Sequence, residues 1–213
     1  MRHAIKHHPD DATIVSYAAG TLTEALSAIV AAHISMCPRC RDEVKDLELL
    51  GATLMLSTND IGSPLAVPTA PETVVVAQPK LETANSGLPI PIARAYGLSA
   101  AAIPWKRLGP GIWHHRLALN PGETGDLRLL RIGPGRRMPD HGHGGAELTL
   151  VIDGAYSDVT GIYRRGDIQD LDESIEHQPI VDQAAPCVCL IASEHPARFK
   201  GLFSRLFQPW TGM

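Results

Sequence analysis

The chain is short of aromatic side chains, cysteines, long apolar runs and basic blocks, and each shortage narrows what it can do. Aromatics make up 5% of its 213 residues, yet hydrophobic residues reach 44%, ample for one large domain or two small ones. No stretch of 18 or more apolar residues occurs, so no membrane-spanning helix is expected. The opening MRHAIKHHPDD is not a secretory signal peptide, and a cytoplasmic location follows as the expectation. The formal net charge is −4 without a Lys/Arg-rich run, which argues against direct contact with nucleic acid. Of four cysteines, two are close together at Cys37 and Cys40. In a cytoplasmic protein such a pair is more often metal-bound or redox-active than a structural disulfide.

Histidine, by contrast, is plentiful at 10 residues, and its placement follows the organisation of the chain. The first 56 residues read as helical. Asp10 to Ala19 forms a short segment closed by Gly20. Thr21 and Glu24 have the spacing of a capping box opening a second helix, whose apolar residues Leu22, Leu26, Ile29 and Val30 recur at helical intervals and end near Cys37. Pro38 suits the first turn of a third helix, with Val44, Leu47, Leu50 and Leu54 as its apolar stripe. From Ser57 to about Ile92, six prolines and scattered Gly and Ser read mostly as linker, with Glu72 to Ala77 a short helix or strand. From Leu98 onward, short apolar or alternating runs separated by Gly/Pro/Asp turns predict an antiparallel sandwich or small barrel.

Two constellations carry chemistry. In PGRRMPDHGHGGAELTLVIDG, His141 and His143 are two apart and share a side of a strand. Glu147 returns to that side after the Gly144-Gly145 turn, and His177 follows in GDIQDLDESIEH. Three imidazoles and a carboxylate suit Zn, Fe, Mn, Ni or Cu without choosing among them. In HISMCPRC, His33 and Cys37 stand at i and i+4 on one helix face, and Cys40 opens the next helix, where the helix dipole favours a thiolate. A fourth ligand would close a structural tetrahedral zinc site, and His3, His7 and His8 are the candidates. Competing readings are a thioredoxin-type redox pair, which expects a preceding strand, and two unliganded core thiols.

Residues Gly135 to Gly154 resemble the first motif of the cupin family, G-x5-H-x-H-x3,4-E-x6-G, at every fixed position. Gly166 and His177 hold their places in its second motif, while Asp172, Ser174 and Val181 stand where Pro, Gly and Asn are usual. The resemblance implies a cupin β-barrel with His141, His143, Glu147 and His177 as ligands. HISMCPRC with His8 resembles the zinc-binding anti-sigma domain, H-x24,25-H-x3-C-x2-C. It implies zinc on His8, His33, Cys37 and Cys40, with His7 satisfying the looser form, and a fourth helix that Pro64, Pro68 and Pro71 oppose. The combination resembles the ChrR-type anti-sigma factors.

That resemblance implies an α+β multidomain chain: a small zinc-binding helical bundle at 1–80 (core 1–56), a linker at 81–97, and a cupin β-barrel, a jelly roll, at 98–213. It further implies a non-enzymatic regulator of transcription bound 1:1 to an extracytoplasmic-function (ECF, group IV) sigma factor. Release would follow oxidative stress such as singlet oxygen or organic hydroperoxide. Zn2+ would be structural in the helical part, and Zn2+ or another divalent transition metal would occupy the cupin. Cys187 and Cys189 alternate on one face of a core strand, open to oxidation or simply packed. The rival reading is a metal-dependent cupin enzyme, a dioxygenase or isomerase, with Arg128, Arg131, Tyr156 and Glu176 as candidate lining residues. A third, a DNA-binding regulator, is disfavoured by the acidity.

Overall fold

The structure, a computed structural model, describes residues 4–57, 86–195 and 198–199. Three helices open the chain: α1 (Asp11–Ala18), α2 (Glu24–Met36) and α3 (Pro38–Ser57). Gly20, in the left-handed region at φ +69°, closes the first helix as expected. The capping box does not form. The Thr21 hydroxyl donates to the Ser16 carbonyl, Thr23 holds the N-cap without a side-chain bond, and α2 starts at Glu24. The Glu24 carboxylate instead accepts the Asn120 N–H from the β region at 2.9 Å. A tertiary contact has displaced a local one. The α3 stripe also holds only in part: Val44 is buried, but Leu50 and Leu54 are exposed.

A fourth helix, α4 (Ile90–Tyr96), lies within the expected linker. Ile92 and Ala93 are buried on it in the core that α2 enters. Glu72 to Ala77, and the fourth helix expected in the anti-sigma domain, lie outside the described residues.

The β region comprises β1 (Lys106–Gly109), β2 (Ile112–Arg116), β3 (Asp126–Ile132), β4 (His141–Gly142), β5 (Glu147–Asp153), β6 (Ala155–Ser157), β7 (Ile162–Arg164), β8 (Ile168–Leu171), β9 (Ile180–Val181), β10 (Cys187–Ser193) and β11 (Arg198–Phe199). A six-stranded antiparallel sheet runs β1-β2-β3-β10-β5-β8, beside a three-stranded sheet β7-β6-β9 and the pair β11-β4. Its central strands β3, β5 and β10 are buried along most of their length on both faces, and apolar residues dominate them. Alternation then sorts them. Leu127, Leu129, Leu148, Leu150, Leu190 and Ala192 pack with the helices, whereas Leu130, Val151, Cys187 and Cys189 join an inner cluster.

The helical part therefore has no core of its own. Ile14, Leu26, Ile29 and Val30 share one apolar cluster with the outer face of the sheet. No residue of α2 is exposed, as expected of a helix covered on every side. The segment before α1 lies along β8, with Ile168 N–H donating to the His7 carbonyl and Asp10 N–H to the Asp170 carboxylate. That cover protects an edge strand that would otherwise present unpaired backbone.

Candidate metal centres

The first cluster is built at the α2–α3 corner. His33 sits in the last turn of α2, Cys37 links the helices in an extended conformation (φ −106°, ψ 105°), and Cys40 lies in the first turn of α3. His8 arrives from the segment before α1. One donor atom from each of the four lies within 4.8 Å of all the others. His8 Nδ1 is 3.2 Å from Cys40 Sγ and 3.5 Å from Cys37 Sγ, and His33 Nε2 is 3.4 Å from Cys40 Sγ. His7, the looser candidate, instead sets its ring 4.4 Å from that of Tyr163. His3 lies outside the described residues.

The chemistry of this donor set fits zinc. His33 Nδ1 is 3.0 Å from the Gly166 carbonyl, which can only accept, so Nδ1 carries the proton and Nε2 presents a lone pair. Burial lowers the His33 pKa to about 4, and burial with Arg39 lowers that of His8. Both lowerings favour neutral imidazole, the form that binds metal. Burial, reinforced by Cys37, pushes the Cys40 thiol up to about 12. Such a thiol surrenders its proton to a cation rather than to solvent. Two imidazoles and two thiols with no open position correspond to a closed, structural site.

The second cluster lies inside the sheet. Glu147 opens β5 and His141 opens β4; His143 lies just beyond β4, and His177 pairs with His141 across an isolated bridge. All four are buried, and their donor atoms also fall within 4.8 Å of one another. His177 Nε2 is 3.3 Å from His141 Nε2. Outer partners again fix the tautomers: His141 Nδ1 donates to the Pro139 carbonyl at 2.9 Å, and His177 Nδ1 to Asp158 Oδ2 at 2.7 Å. His143 Nδ1 approaches Glu147 Oε2 at 3.1 Å, but neither ring nitrogen of His143 makes a hydrogen bond. Buried orphan nitrogens facing a carboxylate are what a metal ion would satisfy. Burial works to raise the Glu147 carboxyl, but the three imidazoles outweigh it and hold it below the usual carboxylate range.

A cavity of about 500 Å³ opens beside this cluster. Of the four expected lining residues, Arg128 and Tyr156 reach it and Arg131 and Glu176 do not. Arg131 lies over the Trp113 ring, and Glu176 packs beside Gly142. Cys189 lines the cavity, with the Cys187 sulfur 3.5 Å from its own; that contact and burial raise the Cys189 pKa. Gly154 occupies φ +76°, where a Cβ would run into the Pro186 carbonyl, which explains the closing glycine of the motif. At Asp172, a bond from Ser174 N–H at 2.8 Å makes a side-chain turn where the usual cupin motif has Pro.

Asp158, Gln169 and Asp167 were not among the candidates read from the sequence, and Gly166 was read only as a motif glycine. Gly166 and Asp167 act across a long separation: the Gly166 carbonyl accepts from His33, and fully buried Asp167 accepts N–H groups from Lys6 and His7 at 2.7 and 3.2 Å. No local motif signals such a contact.

The fold and its two clusters define a class: a helical Cys/His knuckle packed on a cupin-like sheet. A family described as the ChrR cupin-like domain matches residues 94–197, and a zinc-finger family matches residues 14–41. The anti-sigma-E factor ChrR of Cereibacter sphaeroides is 37% identical over 211 residues, 97% of this chain and 98% of that protein. A chain in the crystal structure of Rhodobacter sphaeroides SigE in complex with the anti-sigma ChrR aligns at 38% identity and TM-score 0.73, covering 89% of this chain and 99% of that one. The chain belongs to the ChrR family of anti-sigma factors. Both relatives are regulators, which stands against the cupin-enzyme reading. Among the described residues no helix is long and apolar enough to cross a membrane.

Proposed function

We propose that this protein is a cytoplasmic anti-sigma factor that binds one ECF sigma factor 1:1 and keeps it from RNA polymerase. The observation that carries this reading is likeness along 97% of the chain to an anti-sigma factor, with both donor clusters assembled. Zinc on His8, His33, Cys37 and Cys40 ties the segment before α1 to the α2–α3 corner and orients α3. The second half of α3 offers the docking face: Leu49, Leu50 and Leu56 are 68%, 55% and 81% exposed. Apolar side chains this open on one helix are suited to a protein partner. His141, His143, Glu147 and His177 hold Zn2+ or another divalent transition metal, and this centre supports the response to singlet oxygen or organic hydroperoxide.

Gel filtration of the zinc-loaded chain mixed with its cognate sigma factor tests the proposal. A single co-eluting species is expected, and two independent peaks would overturn it. Cys37→Ala should lose about one equivalent of zinc and the complex together.

A further inference from the structure

The residues from Asp158 to Asp167 touch both clusters. At one end, the Asp158 carboxylate, its side chain covered from solvent, accepts from His177 Nδ1 at 2.7 Å and from Gln169 Nε2 at 2.8 Å. Its other oxygen lies 2.8 Å from the Thr160 N–H and 2.6 Å from the Thr160 hydroxyl. That hydroxyl is 2.9 Å from the Tyr163 hydroxyl, and the Tyr163 ring lies against His7, the neighbour of His8. At the far end, the Gly166 carbonyl accepts from His33 Nδ1 at 3.0 Å. Asp167 holds Lys6 and His7 through Oδ1 and the Arg164 N–H through Oδ2. Gly166 stands at φ +90°, and a Cβ there would come within 2.7 Å of Ile5 Cδ1, so the turn is pressed against the segment that delivers His8.

Resting on the reading that both clusters bind metal, we propose that the Asp158–Asp167 segment, which contains β7, is a shared outer coordination sphere that couples them. Gly166 and Asp167 are positioning residues for the helical site although they belong to the cupin sheet. One sets the tautomer and ring plane of His33; the other anchors the backbone on which His8 is carried. Asp158 does the same for His177. Loss of His177's proper seat moves Asp158, and the Thr160–Tyr163 contact carries that displacement to His7 and the helical donors. Outer-sphere partners of this kind typically change metal affinity by about 10–100-fold, and coupling between two sites is reciprocal.

Cobalt(II) provides a probe specific to the helical site, because only that cluster contains thiols and so only it gives a thiolate-to-cobalt charge-transfer band. In the cobalt-loaded full chain, chelator titration of that band should show Asp167→Asn weaker by about 10-fold or more. Thr160→Val should be weakened several-fold. Val159→Ala, on the same segment but 81% exposed, should match the parent. His141→Ala, which damages the cupin cluster at a residue outside the Asp158–Asp167 segment, should also weaken the band, and less so in a Thr160→Val background. Parent-like affinity in Asp167→Asn with an unchanged near-ultraviolet circular dichroism spectrum would overturn the positioning role. An Asp167→Asn chain that fails to fold leaves Thr160→Val and the His141→Ala pair to decide, and additive effects there would overturn the coupling. Absence of the band from the parent would instead refute the metal-site reading beneath it.

Discussion

At the scale of single residues, the informative feature is a polar atom with no solvent and one acceptor. His33 is fully buried on a mostly apolar helix, and the Gly166 carbonyl leaves only Nε2 for a ligand. Its lowered pKa has a definite consequence for the metal-free chain. The folded state resists a proton that the unfolded chain accepts below about pH 6.5, so stability should fall as pH drops from there towards 4. The urea midpoint of chelator-stripped protein, followed from pH 7.5 to 4.5, checks this; a midpoint that rises on acidification would contradict it. With metal the protons move differently. Because the Cys40 thiol is pushed up to about 12, zinc binding at pH 7 must displace its proton, and calorimetry in buffers of differing ionisation enthalpy should report net proton release on loading the helical site. The two clusters the structure assembles were legible in part from local spacing, His33-x3-Cys37-x2-Cys40 and His141-x-His143-x3-Glu147, whereas His8 and His177, distant in sequence, were placed through the family resemblance. Asp158 and Asp167 were not legible: Asp167 meets Lys6 and His7 only through tertiary packing, and Asp158 reaches His177 across strands whose pairing no local motif states.

At the scale of elements, α2 and α3 divide the labour. The run EALSAIVAAHISM reads as helix, but its four-residue apolar stripe understated its burial. The alanines at 25, 28, 31 and 32 let the sheet and the neighbouring helices close on every side, and only the three-dimensional neighbours reveal that. Removing Ile29, fully buried there, should cost about 2–5 kcal/mol as Ile29→Ala, measured by urea denaturation. The α3 stripe was equally visible in sequence, yet its second half remains exposed, which separates folding from docking. Leu50→Glu should therefore weaken sigma binding by about 10-fold or more, as expected when a large apolar anchor is replaced by a charge. Its unfolding midpoint should stay within error of the parent. A matching loss of stability would place Leu50 in the fold and not in an interface. The capping box failed for a related reason: Glu24 had a better acceptor role against the Asn120 N–H than against its own helix.

At the scale of the whole molecule, composition and texture suggested two domains on a linker, and the described residues of both parts are tied together by shared contacts. The helices and the outer sheet face share one apolar cluster, α4 from the expected linker joins it, and the Gly166–Asp167 turn grips the segment before α1. Linker-like composition around residues 57–92 reported the absence of periodicity, not the absence of contact between what flanks it. Separate domains would unfold separately, whereas a shared core makes unfolding one cooperative event. Helical signal from far-ultraviolet circular dichroism and tryptophan fluorescence should therefore lose structure at coincident temperatures; Trp105 and Trp113 report from beside and within the sheet. Stripping the helical cluster, by chelation or by Cys40→Ser, should lower both transitions together, because a ligand bound to the folded state stabilises everything cooperative with its site. If the helical signal melts early while fluorescence holds its midpoint, the helices are a lid on an independent barrel, and no signal passing between the two clusters can rely on their common core.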